Sequence, residues 1–166
     1  MTILLTKNKF DYRLVILSLA FALSLSACAK VTERTANNGD AEAQFKMGMY
    51  YFDGSGGVST DYYKAGDWFQ KSAAQGYAPA QLALGEAYGK GRGVRQDYEK
   101  SLAWFQKSAA QGHAPAQLAL GSMYNLSWGY RDYPYSYKDT ELAKEWFGMA
   151  CDGGSQEGCS SYRALN

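Results

Sequence analysis

Few side chains in this sequence are equipped for chemistry, and their spacing limits what they can do. Cys151 and Cys159 have seven residues between them, so they lack the Cys-x-x-Cys arrangement that redox catalysis uses to hold a thiolate beside its resolving partner. No third thiol or nearby histidine completes a tetrahedral zinc set around them. His113 is the only histidine and is read as a loop residue rather than a general acid or base. Asp53, Glu86 and Asp132 could pair across a surface, but scattered acids on helices ordinarily serve solvation. The sequence contains no His-Glu-x-x-His, no Gly-x-Ser-x-Gly and no Gly-x-x-x-x-Gly-Lys followed by Ser or Thr. Zinc-peptidase, esterase and phosphate-loop chemistry therefore lack their residue sets. No catalytic residue, metal ligand or cofactor is assigned, and a non-enzymatic role is expected.

The elements that would position any functional group begin after a leader. Lys7, Lys9 and Arg13 form a basic stretch ahead of the apolar run Leu14 to Leu25, which is too short to span a bilayer and reads as a secretion signal over residues 1–27. Leu25-Ser26-Ala27-Cys28 resembles the bacterial lipobox, so Cys28 is the expected lipidation site and the membrane the expected anchor. Ala29 at the next position implies the periplasmic face of the outer membrane in a Gram-negative envelope. Residues 28–38 are polar and without period, and are expected to be a flexible tether. About 139 residues remain after the leader, enough for one modest domain. The formal net charge of +1 drops to −1 once the leader is removed, which excludes the basic surface a nucleic-acid binder needs. Fifteen percent aromatic residues, 14 of them Tyr, supply apolar area for a core.

The remainder repeats. Asp61 to Gly76 and Asp97 to Gly112 match at twelve of sixteen positions with a shift of 36, and Gly76 to Tyr88 matches Gly112 to Tyr124 at ten of thirteen with the same shift. Each unit holds two helical stretches, one opened by Pro79 or Pro115 and one by Asp61, Asp97 or Asp139. Gly48, Gly85 and Gly121 fall inside helices, where glycine costs about 1 kcal/mol relative to alanine, so a neighbouring helix is expected to pack on bare backbone there. Trp68, Trp104 and Trp146, with the following Phe69, Phe105 and Phe147, are the expected occupants. Tyr51, Tyr88 and Tyr124 should fill the next layer.

The residues Ala-x-x-x-Leu-Gly-x-x-Tyr, Gly-x-Gly-Val, Asp-Tyr-x-Lys and Trp-Phe-x-Lys, ending in Ala-Ala-x-Gln-Gly, resemble the Sel-one-like repeats, relatives of tetratricopeptide repeats. The resemblance covers Gly39 to Gly154 and implies an all-α fold, a short α/α superhelical solenoid of three repeats. Residues 155–166 are then a C-terminal capping helix, needed because the last repeat has one stacking neighbour. Cys151 and Cys159 have the spacing by which the cysteine-rich branch of this family staples adjacent helices, so a disulfide between them is implied. Some cysteine-rich relatives have been described as penicillin-binding or β-lactamase-like hydrolases. The absence of Ser-x-x-Lys, Ser-Asp-Asn and Lys-Thr-Gly removes a visible nucleophile for that alternative.

Function is then expected where the repeats differ. Lys46/Ala83/Ala119, Met49/Glu86/Ser122 and Asp53/Lys90/Leu126 are aligned, variable and spaced by three to four residues along the first helix of each unit. In the resembled family that helix lines the concave side. Lys46, Met49, Asp53, Glu86, Lys90 and Ser122 are accordingly the expected partner-binding residues. The third unit replaces its glycine turn by Asn125 to Lys138, six residues longer, carrying Trp128, Tyr130, Tyr133, Tyr135 and Tyr137. Such aromatic density is typical of interface hot spots; the alternative is that these rings fold back over the third repeat. The expected molecule is a monomeric, lipid-anchored envelope protein that binds another protein. Family precedent points to an immunity protein that neutralises a lipase-type effector delivered to the periplasm.

Overall fold

The computed structural model describes residues 29–125 and 139–166. A helical stretch over 29–37 (α1) precedes α2 (Ala41–Asp53), α3 (Tyr62–Ala74), α4 (Ala78–Lys90), α5 (Tyr98–Ala109), α6 (Ala114–Tyr124), α7 (Thr140–Asp152) and α8 (Gln156–Ala164), with no strand among the described residues. Helices pack in chain order, α2 on α3, α4 on α5 and α6 on α7, with α3·α4, α5·α6 and α7·α8 joining successive units. This is the all-α solenoid of three hairpins and a capping helix.

Each helix starts where its first amides find an acceptor. Asp40, Asp61, Asp97 and Asp139 accept from the backbone N–H three residues on, at 2.7, 3.1, 3.0 and 3.0 Å, and Ser155 Oγ accepts from Gly158 N at 3.0 Å. Those contacts satisfy donors that the helices themselves leave unpaired. Pro79 and Pro115 sit in the first turns of α4 and α6, where a missing N–H costs nothing. The turn between the helices of each unit is closed by one backbone bond. Asp61 N donates to Tyr51 O, Asp97 N to Tyr88 O and Asp139 N to Tyr124 O, at 2.7, 3.0 and 3.1 Å.

Phenylalanine, not tryptophan, occupies the glycine slots. A Cβ on Gly85 would lie 2.6 Å from the Phe105 ring and one on Gly121 2.5 Å from Phe147, and Gly48 is covered by Phe69 in the same way. Phe69, Phe105 and Phe147 are at most 2% exposed. The expectation that Trp68, Trp104 and Trp146 lead this packing is corrected, because the residue after each Trp is the one turned into the hairpin. The indoles are half-buried and border core clusters that include the first helix of their own unit. Trp68 covers Ala36, Ala43 and Met47, Trp104 covers Phe69 and Leu84, and Trp146 covers Phe105 and Leu120. Lys71 and Lys107 lie over the outer faces of Trp68 and Trp104, 4.4 and 4.0 Å from the ring centres. Tyr51, Tyr88 and Tyr124 do join the core clusters as the next layer.

A second correction concerns the N-terminal tether expected over 28–38. Residues 29–37 are helical, and Ala36 is only 1% exposed. Gln44 Nε2 donates to Ala36 O at 3.1 Å, so this segment docks on α2. One small apolar residue at the right phase, backed by a buried amide, outweighs the polar composition around it.

Buried polar side chains tie the units together with the same period as the core. Gln81 Nε2 and Gln117 Nε2 reach back to Ala73 O and Ala109 O at 3.3 Å each, repeating the Gln44 bond. Gln44 Oε1 and Gln81 Oε1 then accept from Gln75 Nε2 and Gln111 Nε2 at 2.8 and 2.7 Å. Ser72 Oγ and Ser108 Oγ, fully buried, donate to Ala41 O and Ala78 O at 2.6 and 2.8 Å, closing the first two hairpins at their open ends. The Cys151–Cys159 disulfide joins α7 to α8 with Cα atoms 4.5 Å apart. Gly158 lets α8 approach that closely, since a Cβ there would meet Ala150 Cβ at 2.8 Å.

Candidate functional site

The first helices of the units, α2, α4 and α6, together with α8, line two adjoining hollows. One, of about 300 Å³, lies among Phe45, Met49 and Phe52 of α2, Phe69 of α3, and Leu82, Ala83 and Ala87 of α4. Glu86, Lys90 and Arg92 edge it on one side, and Pro79, His113 and Pro115 on the other. The apolar lining follows from helical spacing: Phe45, Met49 and Phe52 stand three to four residues apart and share a face of α2. Phe45 and Phe52 are held by neighbouring rings, Phe45 against Phe69 and Tyr77 at 5.8 and 5.5 Å, and Phe52 against Tyr62 at 5.4 Å. The other hollow, of about 380 Å³, is lined by Leu82, Glu86, Pro115, Leu118, Ala119, Ser122 and, from α8, Glu157 and Ser161.

His113 is the N-cap residue of α6, and its imidazole turns inward. Its Nδ1 is 3.0 Å from Ser108 Oγ. The single hydroxyl proton of Ser108 is donated to Ala78 O, so the arrangement that satisfies both contacts has His113 Nδ1–H donating to Ser108 Oγ. Nε2 then carries the free lone pair. Burial pushes the His113 pKa below its ordinary value, because the charged ring loses hydration there. The neutral imidazole is thus a fixed acceptor on the wall of the first hollow. Reading His113 as a loop residue is right for its backbone and misses its side chain. The signal was its place at the position of Tyr77, which also packs toward the α2 aromatics.

The structure brings together some of the expected partner-binding residues and sets others aside. Met49, Glu86 and Lys90 line the first hollow, and Glu86 and Ser122 line the second. Lys46 lies on the same face of α2 but is held by Glu42 at 2.6 Å, a pairing that raises its pKa. Asp53 turns to its own loop, where it accepts from Ser55 N at 2.8 Å; the Ser55 hydroxyl and amide hold its carboxyl below the ordinary carboxylate range. Trp128, Tyr130, Tyr133, Tyr135, Tyr137 and Asp132, like Cys28, lie outside the described residues. Sequence reasoning missed Phe45, Phe52, Leu82, Arg92, His113 and Glu157. Phe45 and Leu82 share one repeat position, so they were hidden by resembling core.

As chemistry, the described side chains of this arrangement are already committed to one another. Among the described residues no three His, Cys, Asp or Glu side chains converge as a metal set. Glu86 is taken up by Lys90 at 2.9 Å, and His113 rests on a hydroxyl that is itself committed to a carbonyl. What the hollows offer is apolar area with a few oriented polar groups, the composition of a recognition surface.

The chain spans about a quarter of one solved relative and a tenth of one curated relative, and most of another solved relative. A protective antigen present in uropathogenic Escherichia coli strains is 35% identical, aligned over 78% of this chain and 26% of its own, with a TM-score of 0.69. A Sel1 repeat protein from Oxalobacter formigenes is 33% identical over 74% of this chain and 88% of its own, with a TM-score of 0.64. The ERAD-associated E3 ubiquitin-protein ligase component of Arabidopsis thaliana is 36% identical over 64 residues, and the match spans only 9% of that protein. The Sel1 repeat matches residues 41–77, 78–113 and 114–155, the three hairpins described above with their connecting residues. With glycine slots filled by Phe69, Phe105 and Phe147 in each of them, the chain belongs to the Sel1 repeat family.

Proposed function

We propose that this protein is a non-enzymatic, protein-binding lipoprotein of the cell envelope, and that its partner docks across the face lined by α2, α4, α6 and α8. The observation that carries the reading is the hollow of about 300 Å³ among Phe45, Met49, Phe52, Phe69 and Leu82. An apolar recess rimmed by charge suits a buried anchor residue from a partner, the usual origin of most interface energy. Sel1 repeat proteins act in general as scaffolds for protein interactions, and Met49, Glu86 and Lys90, where the units differ, lie in this recess.

The finer version is an immunity protein that neutralises a lipase-type effector on the periplasmic face of the outer membrane, with Cys28 as the lipid anchor. The leader and the Leu25-Ser26-Ala27-Cys28 sequence support the location. Trp128, Tyr130, Tyr133, Tyr135 and Tyr137 belong to the proposed contact surface by composition alone.

Met49→Asp tests the reading, since it places a charge in the recess without touching the glycine slots. Capture of the envelope partner by the full chain should be lost while helicity and melting stay near wild type. Retained capture overturns the docking site. Cys28→Ser should release the protein from membranes, and unchanged sedimentation with them defeats the anchor. Co-expression with a periplasm-directed lipase effector should protect cells only while Met49 is intact.

A further inference from the structure

The two hollows meet at Leu82, Glu86 and Pro115 and so form one trough crossing α2, α4, α6 and α8. Leu82 and Pro115 at the junction are apolar, as are Phe45, Met49 and Phe52 beside them. The charges along the trough are uneven, because Glu86 and Lys90 on successive turns of α4 neutralise each other at 2.9 Å. Two lining ions are left over. Arg92 stands beyond the C-terminal end of α4, with its guanidinium carbon 5.9 Å from the Tyr62 ring centre, and Glu157 stands in the first turn of α8. Neither has a salt bridge among the described residues. The trough is therefore polarised, cationic at the α4 end and anionic at the α8 end, where Ser122 and Ser161 also lie. His113, held neutral by burial, adds an acceptor to the wall of the first hollow.

We infer that the trough takes one segment of a partner protein that is apolar in its middle, acidic at the end lying over Arg92 and basic at the end lying over Glu157. The inference rests on the reading of this face as the partner site and adds to it a direction. Ions of opposite sign without a salt bridge among the described residues, one in each hollow, admit a segment one way round. Reversed, the segment sets like charge against like at both ends, which steers and specifies more than it tightens.

A randomised peptide library displayed on phage, panned against the full chain in detergent, tests this. Wild type should enrich peptides in which an acidic and a basic residue flank an apolar block in one fixed order. The double variant Arg92→Glu/Glu157→Arg, changed only at exposed side chains, should enrich the opposite order. Each single reversal should weaken a synthetic wild-type-selected peptide by about fivefold, the upper range for an exposed ion pair. The difference should vanish near ~1 M salt, where the screening length falls to about 3 Å.

Peptides without charge order, or with the same order on both proteins, overturn the inference. If Met49→Asp still abolishes their binding, the docking reading stands without the direction. No enrichment at all, or binding indifferent to Met49→Asp, overturns both. A dimer of this chain that is lost in Met49→Asp overturns the inference by making a second copy the occupant.

Discussion

In the second repeat, Ser108 closes the hairpin by donating to Ala78 O, and Gln111 completes the amide pair with Gln81. The third repeat has Ala150 and Gly153 at those two positions. Gln117 still reaches back to Ala109 O, but its own Oε1 is buried without a hydrogen-bond partner. Gly153 explains the loss, since a Cβ there would meet Ala114 Cβ at 2.8 Å and a glutamine has no room. Where the second repeat uses polar side chains between two neighbours, the third closes on small residues and hands its security to Cys151–Cys159 and α8. The difference teaches that an end unit with one stacking face has fewer noncovalent partners to share load, and a crosslink that restricts the unfolded chain substitutes for them.

The largest expected effect tests what the two regions share. Phe105→Ala and Phe147→Ala empty equivalent slots over Gly85 and Gly121, and each should cost about 3–5 kcal/mol by denaturant unfolding. Trp104→Ala, at a half-buried indole, should cost less. If Trp104→Ala costs more than Phe105→Ala, the slot assignment is wrong.

Removing the crosslink probes what only the third repeat has. Reduction, or Cys151→Ser with Cys159→Ser, should lower stability by about 2.5 kcal/mol for so short a loop. Amide exchange should accelerate in α7 and α8 while α4 and α5 keep their protection. Uniform loss of protection would show that the end is no weaker than the middle.

Converting the second repeat toward the third should cost less again. Ser108→Ala leaves Ala78 O and His113 Nδ1 without their buried partner, and Gln111→Ala leaves Gln81 Oε1 as bare as Gln117 Oε1 is already. Each should cost about 1–2 kcal/mol. In a Gln81→Leu background the Gln111→Ala penalty should disappear, and additivity would deny the pair.

The smallest effect is titration of His113. Its folded pKa is depressed by burial below the ordinary 6.5, so above that value both folded and unfolded chains hold the ring neutral. As pH falls through 6.5 the unfolded chain binds a proton first, and stability drops until the folded pKa is passed. His113→Tyr, which copies the position of Tyr77, should flatten this acid-side slope. An unchanged slope would place the titration at another group, though not at Asp61 or Asp97. Their carboxyls are lowered by the Lys64 and Lys100 amides they cap, and they lose their contribution only under more acid conditions.

Much of this molecule is decided by its residue order alone. The pairing of Cys151 with Cys159 follows from the family resemblance, whereas the period of 36, the capping aspartates and the glycine slots are local or periodic features. They depend on contacts between residues close in sequence or one repeat apart, so spacing is enough to read them. The sequence left the occupant of each slot between adjacent Trp and Phe, because neighbouring helical positions differ by about 100° and only the packed hairpin fixes that rotation. It left residues 29–37 as a tether, because the burial of Ala36 depends on a groove that α2 and α3 must first create. The turning of His113 onto Ser108, and the joining of Phe45, Met49, Leu82, Arg92 and Glu157 into one trough, required the stacking of four separate helices. Side-chain convergence of that kind is set by the angle between units, a quantity that no single repeat carries.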